Sequence, residues 1–362
     1  VGGRDREEVR LMAAITARPS RKEVVMGAYS IGTDVPPSVD EVLELYRRAG
    51  VVDACAERPL GSRDPRPGGG WERLFAADDE AFLLVGARES GRLAASVSAF
   101  RDGARTFVLQ HAVSSGGAGA LLACLAELEA RVRDLPGEVG FLMLAYRPRE
   151  GWPAALARAA VERHPAHLVG QRERECLIRR RWPTGRRPSA DPVRFVEAVH
   201  LARAALGLGW ARCLGIDAAG LAQWGAEGPF ARAGLVRRRW ILGAREDGAL
   251  AGFAICTKSS AALNLDRLCS RAELVLDPEL ARRERVVTRL AQLAARALDG
   301  PERPAVLLVE PRDAEAAAAA GWERTGARHL AVYLERDGAA GWASAVVDPE
   351  PQLAEAVSAR AA

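Results

Sequence analysis

A nine-residue segment occurs twice in this chain. Residues 86–94 read Gly-Ala-Arg-Glu-Ser-Gly-Arg-Leu-Ala, and residues 243–251 read Gly-Ala-Arg-Glu-Asp-Gly-Ala-Leu-Ala, identical at seven of nine positions. Such a repeat limits the fold more than local propensity does, because two copies of one unit are expected to fold alike. The flanks agree too. Apolar strands precede each copy (Phe82 to Val85; Trp240 to Leu242) and follow it (Leu93 to Phe100; Leu250 to Thr257). Ser90-Gly91 and Asp247-Gly248 are the short turn dipeptides that close a hairpin, where glycine accepts positive φ.

The resemblance continues beyond the hairpins. A further strand follows each one, Thr106 to Val113 and Ala272 to Leu276. Each leads into an amphipathic helix: Ala118, Leu121, Leu122, Leu125, Leu128 and Val132 fall at helical spacing in the first half, and Val286, Leu290, Leu293 and Ala297 in the second. Apolar strands follow at 140–145 and 305–309, then a helix and closing strand at 153–161 and 168–178, and again at 314–320 and 329–334. A crossover helix of this length predicts that the strands it joins are parallel neighbours. The expected fold is α+β: two tandem domains, each a mixed, mostly antiparallel sheet flanked by helices. The predicted divisions are a polar arm at 1–23, one domain at 24–182, a linker and second domain at 183–337, and a tail at 338–362.

The 362 residues suit about two domains. No uncharged apolar run approaches the roughly 18–20 residues that span a bilayer, and no signal-peptide order stands near the N-terminus. The expectation is a cytoplasmic protein without a membrane partner. Of 51 basic residues only Lys22 and Lys258 are lysines, which reads most simply as the codon bias of a GC-rich bacterial genome. Basic clusters at 179–181, 186–187, 237–239 and 282–283 stand among interspersed acids, so a nucleic-acid partner is not favoured. The six cysteines (Cys55, Cys124, Cys176, Cys213, Cys256 and Cys269) lack metal-ligand spacing, and most of them sit in apolar runs and read as small core residues. No metal is expected.

The order of elements resembles the GCN5-related N-acetyltransferase (GNAT) fold in tandem, over about residues 24–182 and 190–336. The entry Tyr29 to Asp34 with Ser38 to Tyr46 looks like the family's first strand and helix, and Ala319 to Gly326 looks like its Gly-Phe segment near the last strand. The resemblance implies a pyrophosphate cradle between strand and crossover helix. There, backbone N–H groups and the positive helix end hold the phosphates of acetyl-CoA or another acyl-CoA. In the first half that stretch is Ser115, Gly116, Gly117, Ala118, Gly119 and Ala120, with Gly117-x-Gly119 fitting the end of the family motif. In the second half it is Asp277 to Arg285, with no glycine and with Glu284 near a motif glycine. The first half is therefore the expected CoA site.

The family implies a tyrosine that protonates the leaving thiolate. In the second half its place falls on Ala317, and the first half's last helix holds no tyrosine. Two substitutes stand on the strands around the cradle: His111, on the strand feeding the glycine-rich turn, and Tyr146, where the following parallel strand ends. Glu273 and Glu310 occupy similar places in the second half and read as solvated or salt-bridged. The tryptophans Trp71, Trp210, Trp224 and Trp240 read as packing anchors. The implied activity is an acyl-CoA-dependent N-acyltransferase acting on a small-molecule or peptide amine. Two other readings stay open, a catalytically inactive ligand-sensing or interaction protein and an aminoacyl-tRNA-dependent transferase.

Overall fold

The computed structural model describes residues 24–26, 29–31, 36–49, 69–103, 105–115, 118–135, 140–146, 157–158, 162, 165–179, 189–217, 220–221, 228–260, 263, 269–298 and 305–336. The repeated segments form two hairpins, β3 (Phe82–Glu89) with β4 (Arg92–Arg101), and β8 (Arg237–Glu246) with β9 (Ala249–Ser259). Both turns place two residues in the left-handed region, Ser90 and Gly91 at φ 51° and 80°, Asp247 and Gly248 at 48° and 86°. That is the mirror-image turn whose twist suits paired strands. Both hairpins then slip register at the same place, leaving Ala94 and Ala251 as the extra residues of matching bulges.

Two more repeat positions explain themselves by close approach. A Cβ on Gly86 would lie 2.5 Å from Pro37, and one on Gly243 would lie 2.4 Å from Val193. In each half the segment leading into the entry helix crosses the hairpin at this glycine. These helices are α1 (Val39–Arg48), capped by Ser38 and Glu41, and the later α4 (Phe195–Leu206). Glu41 also pairs with Arg88 of β3 at 2.7 Å, tying helix to hairpin.

After each hairpin come a strand, a crossover helix and a parallel strand. The first half has β5 (Thr106–Ser114), α3 (Ala118–Asp134) and β6 (Phe141–Tyr146), after the short α2 (Gly70–Phe75) that precedes β3. The second has α5 (Leu208–Cys213) and α6 (Gly228–Arg232) ahead of β8, then β10 (Arg271–Leu276), α7 (Arg283–Ala297) and β11 (Ala305–Val309). β5 with β6 and β10 with β11 are the parallel pairs, as the crossover lengths predict.

The closing strands, β7 (Leu168–Arg179) and β12 (Glu323–Glu335, after the short α8, Ala314–Ala319), do not stay with their own halves. With β1 (Val24–Met26) and β2 (Tyr29–Ile31) at one edge, the order is β1-β2-β3-β4-β5-β6-β12-β7-β11-β10-β9-β8. β12 lies beside β6 of the first half, and β7 beside β11 of the second. The two units thus form one mixed, mostly antiparallel twelve-stranded sheet. The register fixes where their pseudo-twofold axis runs. Tyr146 ends β6 opposite Leu330, and Val309 ends β11 opposite Glu175. Leu330 itself faces Glu173, and Arg328 faces Glu175, so the axis passes between Arg174 and His329.

The sheet's alternating side chains build a separate core on each face. α3 packs over residues such as Leu83, Val97, Leu109 and Leu142, and α7 over Ala254, Leu274 and Leu307. The opposite face carries α1, α2, α4, α5 and α6 over a core shared by both halves, including Phe100, Met143, Phe253 and Tyr333. Trp71 and Trp210 are buried there as anchors, and Trp240 is partly buried against the α7 core; Trp224 lies outside the described residues. Cys124, Cys176, Cys213, Cys256 and Cys269 are buried free thiols, while Cys55 lies outside the described residues. Burial pushes the Cys124 thiol up to about 12. No helix among the described residues is long and apolar enough to cross a membrane.

Candidate active site

Each parallel strand pair stays together briefly and then parts. In the first half β5 and β6 are paired from Thr106 and Phe141 to Leu109 and Leu144. Beyond that, β5 is held by β4 while Ala145 and Tyr146 are held by β12. A bulge in β5 widens the parting. Ser98 faces Gln110 and Ser96 faces Val113, so Val97 alone stands opposite both His111 and Ala112. A bulge of this kind re-aims the strand and often borders a functional site. The second half has no counterpart, since Phe253 to Ile255 face Val275 to Glu273 one to one.

Those predicted site residues that the structure describes stand on β5, β6 and the start of α3, beside this first parting. His111 is in the bulge and Tyr146 is the last residue of β6; the side chains of both lie outside what the structure describes. Ser115 follows β5 directly, its amide donating to the Ala94 carbonyl at 2.8 Å. Gly116 and Gly117 lie outside the described residues, as does the side chain of Ala118, the first residue of α3. Gly119 is exposed and Ala120 is buried against the sheet. The first turn of α3 has no acidic residue, so its N-terminal amides meet no carboxylate of their own helix.

The second parting is built differently. β10 and β11 pair from Arg271 and Val306 to Glu273 and Leu308 and then separate. Arg283, the first residue of α7, reaches into this opening with Nε and Nη2 on the two Asp313 carboxylate oxygens at 2.6 and 2.8 Å. Its Nη2 also donates to Glu310 at 3.3 Å, and its Nη1 to the Asp277 carbonyl at 3.3 Å. Glu310 further accepts from Arg172 at 2.9 Å and from Arg312 at 2.8 Å. Burial alone would raise the Glu310 carboxyl, but Arg174, Arg312 and Arg172 outweigh it and hold it below the ordinary range. The arginine at the helix start, which could have met a phosphate, is thus committed to carboxylates. Of the two readings for Glu273 and Glu310, solvated or salt-bridged, the structure has both salt-bridged, Glu273 to Arg174 at 3.2 Å.

One polar cluster had only a faint sequence signal. Asp102, at the β4–β5 turn of the first half, accepts from Arg237 at 2.6 Å, Arg239 at 3.1 Å and Arg271 at 2.6 Å, all from the second half. Alternation along β8 turns Arg237 and Arg239 inward and Arg238 outward, which splits the apparent basic cluster at 237–239. Burial pushes the Arg237 guanidinium down to about 10 despite Asp102, and its plane lies 5.4 Å over the Phe100 ring. This knot joins the halves.

In fold, the molecule is a pair of GNAT-like units in tandem: each half has the hairpin, third strand, crossover helix and parallel strand that the sequence implied, and each borrows its closing strand from the other. No family model matches the chain, and no curated protein matches it. Among solved structures it is similar to a tandem GNAT protein from the clavulanic acid biosynthesis pathway, at 17% identity and TM-score 0.42, over 85% of this chain and 98% of that one. A putative acetyltransferase from Pyrococcus horikoshii is 12% identical, TM-score 0.47, over 87% and 92%. N-myristoyltransferase from Saccharomyces cerevisiae, solved with myristoyl-CoA and inhibitors, is 9% identical, TM-score 0.37, over 86% and 81%.

Proposed function

We propose that the chain is an acyl-CoA-dependent N-acyltransferase that takes its acyl-CoA, acetyl-CoA or another acyl thioester, at the first parting only. The observation that carries this reading is the contrast between the two partings. The first has the bulge at His111–Ala112 and a helix start without acidic residues; the second is crossed by Arg283, Glu310 and Asp313. The residues fit the cofactor's anionic end: exposed Ser115 ends the approach to α3, exposed Gly119 stands in its first turn, and residues without a Cβ let main-chain donors approach phosphate closely.

In the reaction an acceptor amine attacks the thioester carbonyl carbon. The C–N bond forms, the C–S bond breaks, and the amine's proton and the leaving thiolate must both be managed. We assign His111 to take the proton from the amine and Tyr146 to give one to the thiolate. The two residues stand on the two strands that part, where a thioester between the strands would be reached from both sides.

Thermal shift and calorimetry with acetyl-CoA and longer acyl-CoAs test the reading. Saturable binding that Gly117→Glu abolishes, through a carboxylate placed against the phosphates, is the expected result. No binding of any CoA thioester, or binding that Gly117→Glu leaves intact, overturns it. Binding without turnover on any amine would favour the ligand-sensing reading instead.

A further inference from the structure

Arg174 is the least satisfied buried cation among the described residues of the second parting. Its side chain is only 4% exposed. It stands on β7 one residue past the last β7–β11 pair, Glu175 with Val309, and its Nε reaches across to Glu273 on β10. Glu273 is the last β10 residue paired with β11, so the reach ends where the two strands begin to part. Nη1 donates to the Glu173 carbonyl at 3.3 Å, and Nη2 has no partner at all. An unmet guanidinium N–H in a buried setting costs free energy that a ligand acceptor would recover.

The groups around it define what would fit. Glu273, 6% exposed, shares the floor with Arg174. Arg172 holds its guanidinium over Trp210, 5.5 Å from the ring centre, and the same group donates from Nη2 to Glu310. Glu310, 25% exposed, stands at the mouth with Arg312. Depth thus runs from a half-open ion pair to a closed floor with one vacant donor. Two carboxylates beside that donor oppose a dianion, so phosphate is disfavoured; one negative charge spread over two planar oxygens matches the guanidinium edge.

We propose that the second parting is a recognition slot for a small carboxylate, received by Nη2 of Arg174. Its place beside the axis gives it a role, which rests on the acyltransferase reading. Arg174 faces His329 on β12, and Leu330, the next residue, faces Tyr146 at the end of β6. Two strand spacings, about 10 Å, separate β7 from β6. The acceptor is then an amine that also carries an acid group, its acid in the second half and its amine at the first parting. A duplicated fold would thereby have turned one cofactor slot into an acceptor slot.

The test titrates the full chain with sodium acetate, 6-aminohexanoate, the neutral 6-aminohexanamide and inorganic phosphate, and in parallel with acetyl-CoA. Both carboxylates at tens of millimolar should raise Tm by about 2 °C, the amide should not, and Arg174→Met should remove the shift while leaving acetyl-CoA binding unchanged. Should Arg174→Met fail to fold, Glu273→Gln supplies the second arm. Removing the competing acid should tighten 6-aminohexanoate several-fold. No carboxylate shift in the wild type, a shift that survives Arg174→Met, unchanged affinity in Glu273→Gln, or a phosphate shift as large as acetate's overturns the slot. Carboxylate binding without acetyl-CoA binding overturns the acyltransferase reading and keeps the slot; acetyl-CoA binding without carboxylate binding does the reverse.

Discussion

Asp102 holds three guanidinia with one carboxylate, at 3% exposure, and all three come from a different half of the chain. Removing the acid leaves the buried cations facing one another, the situation in which a lost partner costs most. Asp102→Ala is expected to lower stability by about 3–5 kcal/mol, read from urea unfolding. Arg271→Met in the same background should recover part of the loss, since it removes a cation left unpaired. Glu310 supplies a pH dependence. Its folded carboxyl titrates below the ordinary 4.5, so its stabilisation is present above that value and is lost as pH falls through the folded pKa. The urea midpoints of wild type and Glu310→Gln should differ at pH 6 and converge toward pH 3. A gap that stays constant would mean Glu310 does not titrate as its arginine neighbours require. At this scale the sequence was partly readable. Arg237 and Arg239 stand two apart on a strand, which alternation turns to one face, but nothing local announces that Asp102, more than a hundred residues earlier, meets them.

The hairpins were the most legible elements, because a two-residue turn with glycine and matched flanks specifies its own geometry. Even the bulges at Ala94 and Ala251 recur with the repeat. The bulge at His111–Ala112 was hidden, since its one mark in the sequence is the adjacent polar pair Gln110-His111 in an otherwise apolar run, and such a pair does not by itself set a register. It shows only as one residue more in β5 than in β10 between equivalent pairs. Gly86 and Gly243 could be seen to repeat, while the reason, an entry segment lying across each, needed the structure. Gly243→Ala should cost about 1–3 kcal/mol by overpacking against Val193. Val193→Ala should relieve most of that in a double-mutant cycle; simple additivity would show that the contact is not the cause. The stretch Ser115 to Ala120 and its contrast with the glycine-free Asp277 to Arg285 were readable in the sequence, whereas the net of Arg283, Glu310 and Asp313 at the second parting needed the structure.

At the scale of the molecule, the expected division into a unit at 24–182 and another at 183–337 meets a sheet in which β7 and β12 have changed places. No local pattern could reveal this. The two strands close similar units, each is apolar enough to sit beside either neighbour, and pairing partners as distant as Tyr146 and Leu330 leave no trace in sequence period. The exchange has an energetic consequence. A first half expressed alone would end β6 without β12 and send out β7 with both edges unpaired, a row of unmet backbone groups and a template for aggregation. It would also leave Asp102 without its arginines. The full chain is therefore expected to unfold in one cooperative transition, with calorimetric and van't Hoff enthalpies in agreement. Residues 24–182 and 183–337 should each be insoluble or unfolded alone and should yield soluble complex when expressed together. Separate melting of two parts, or a well-folded monomer of residues 24–182, would show that the exchanged strands do not bind the halves into a single folding unit.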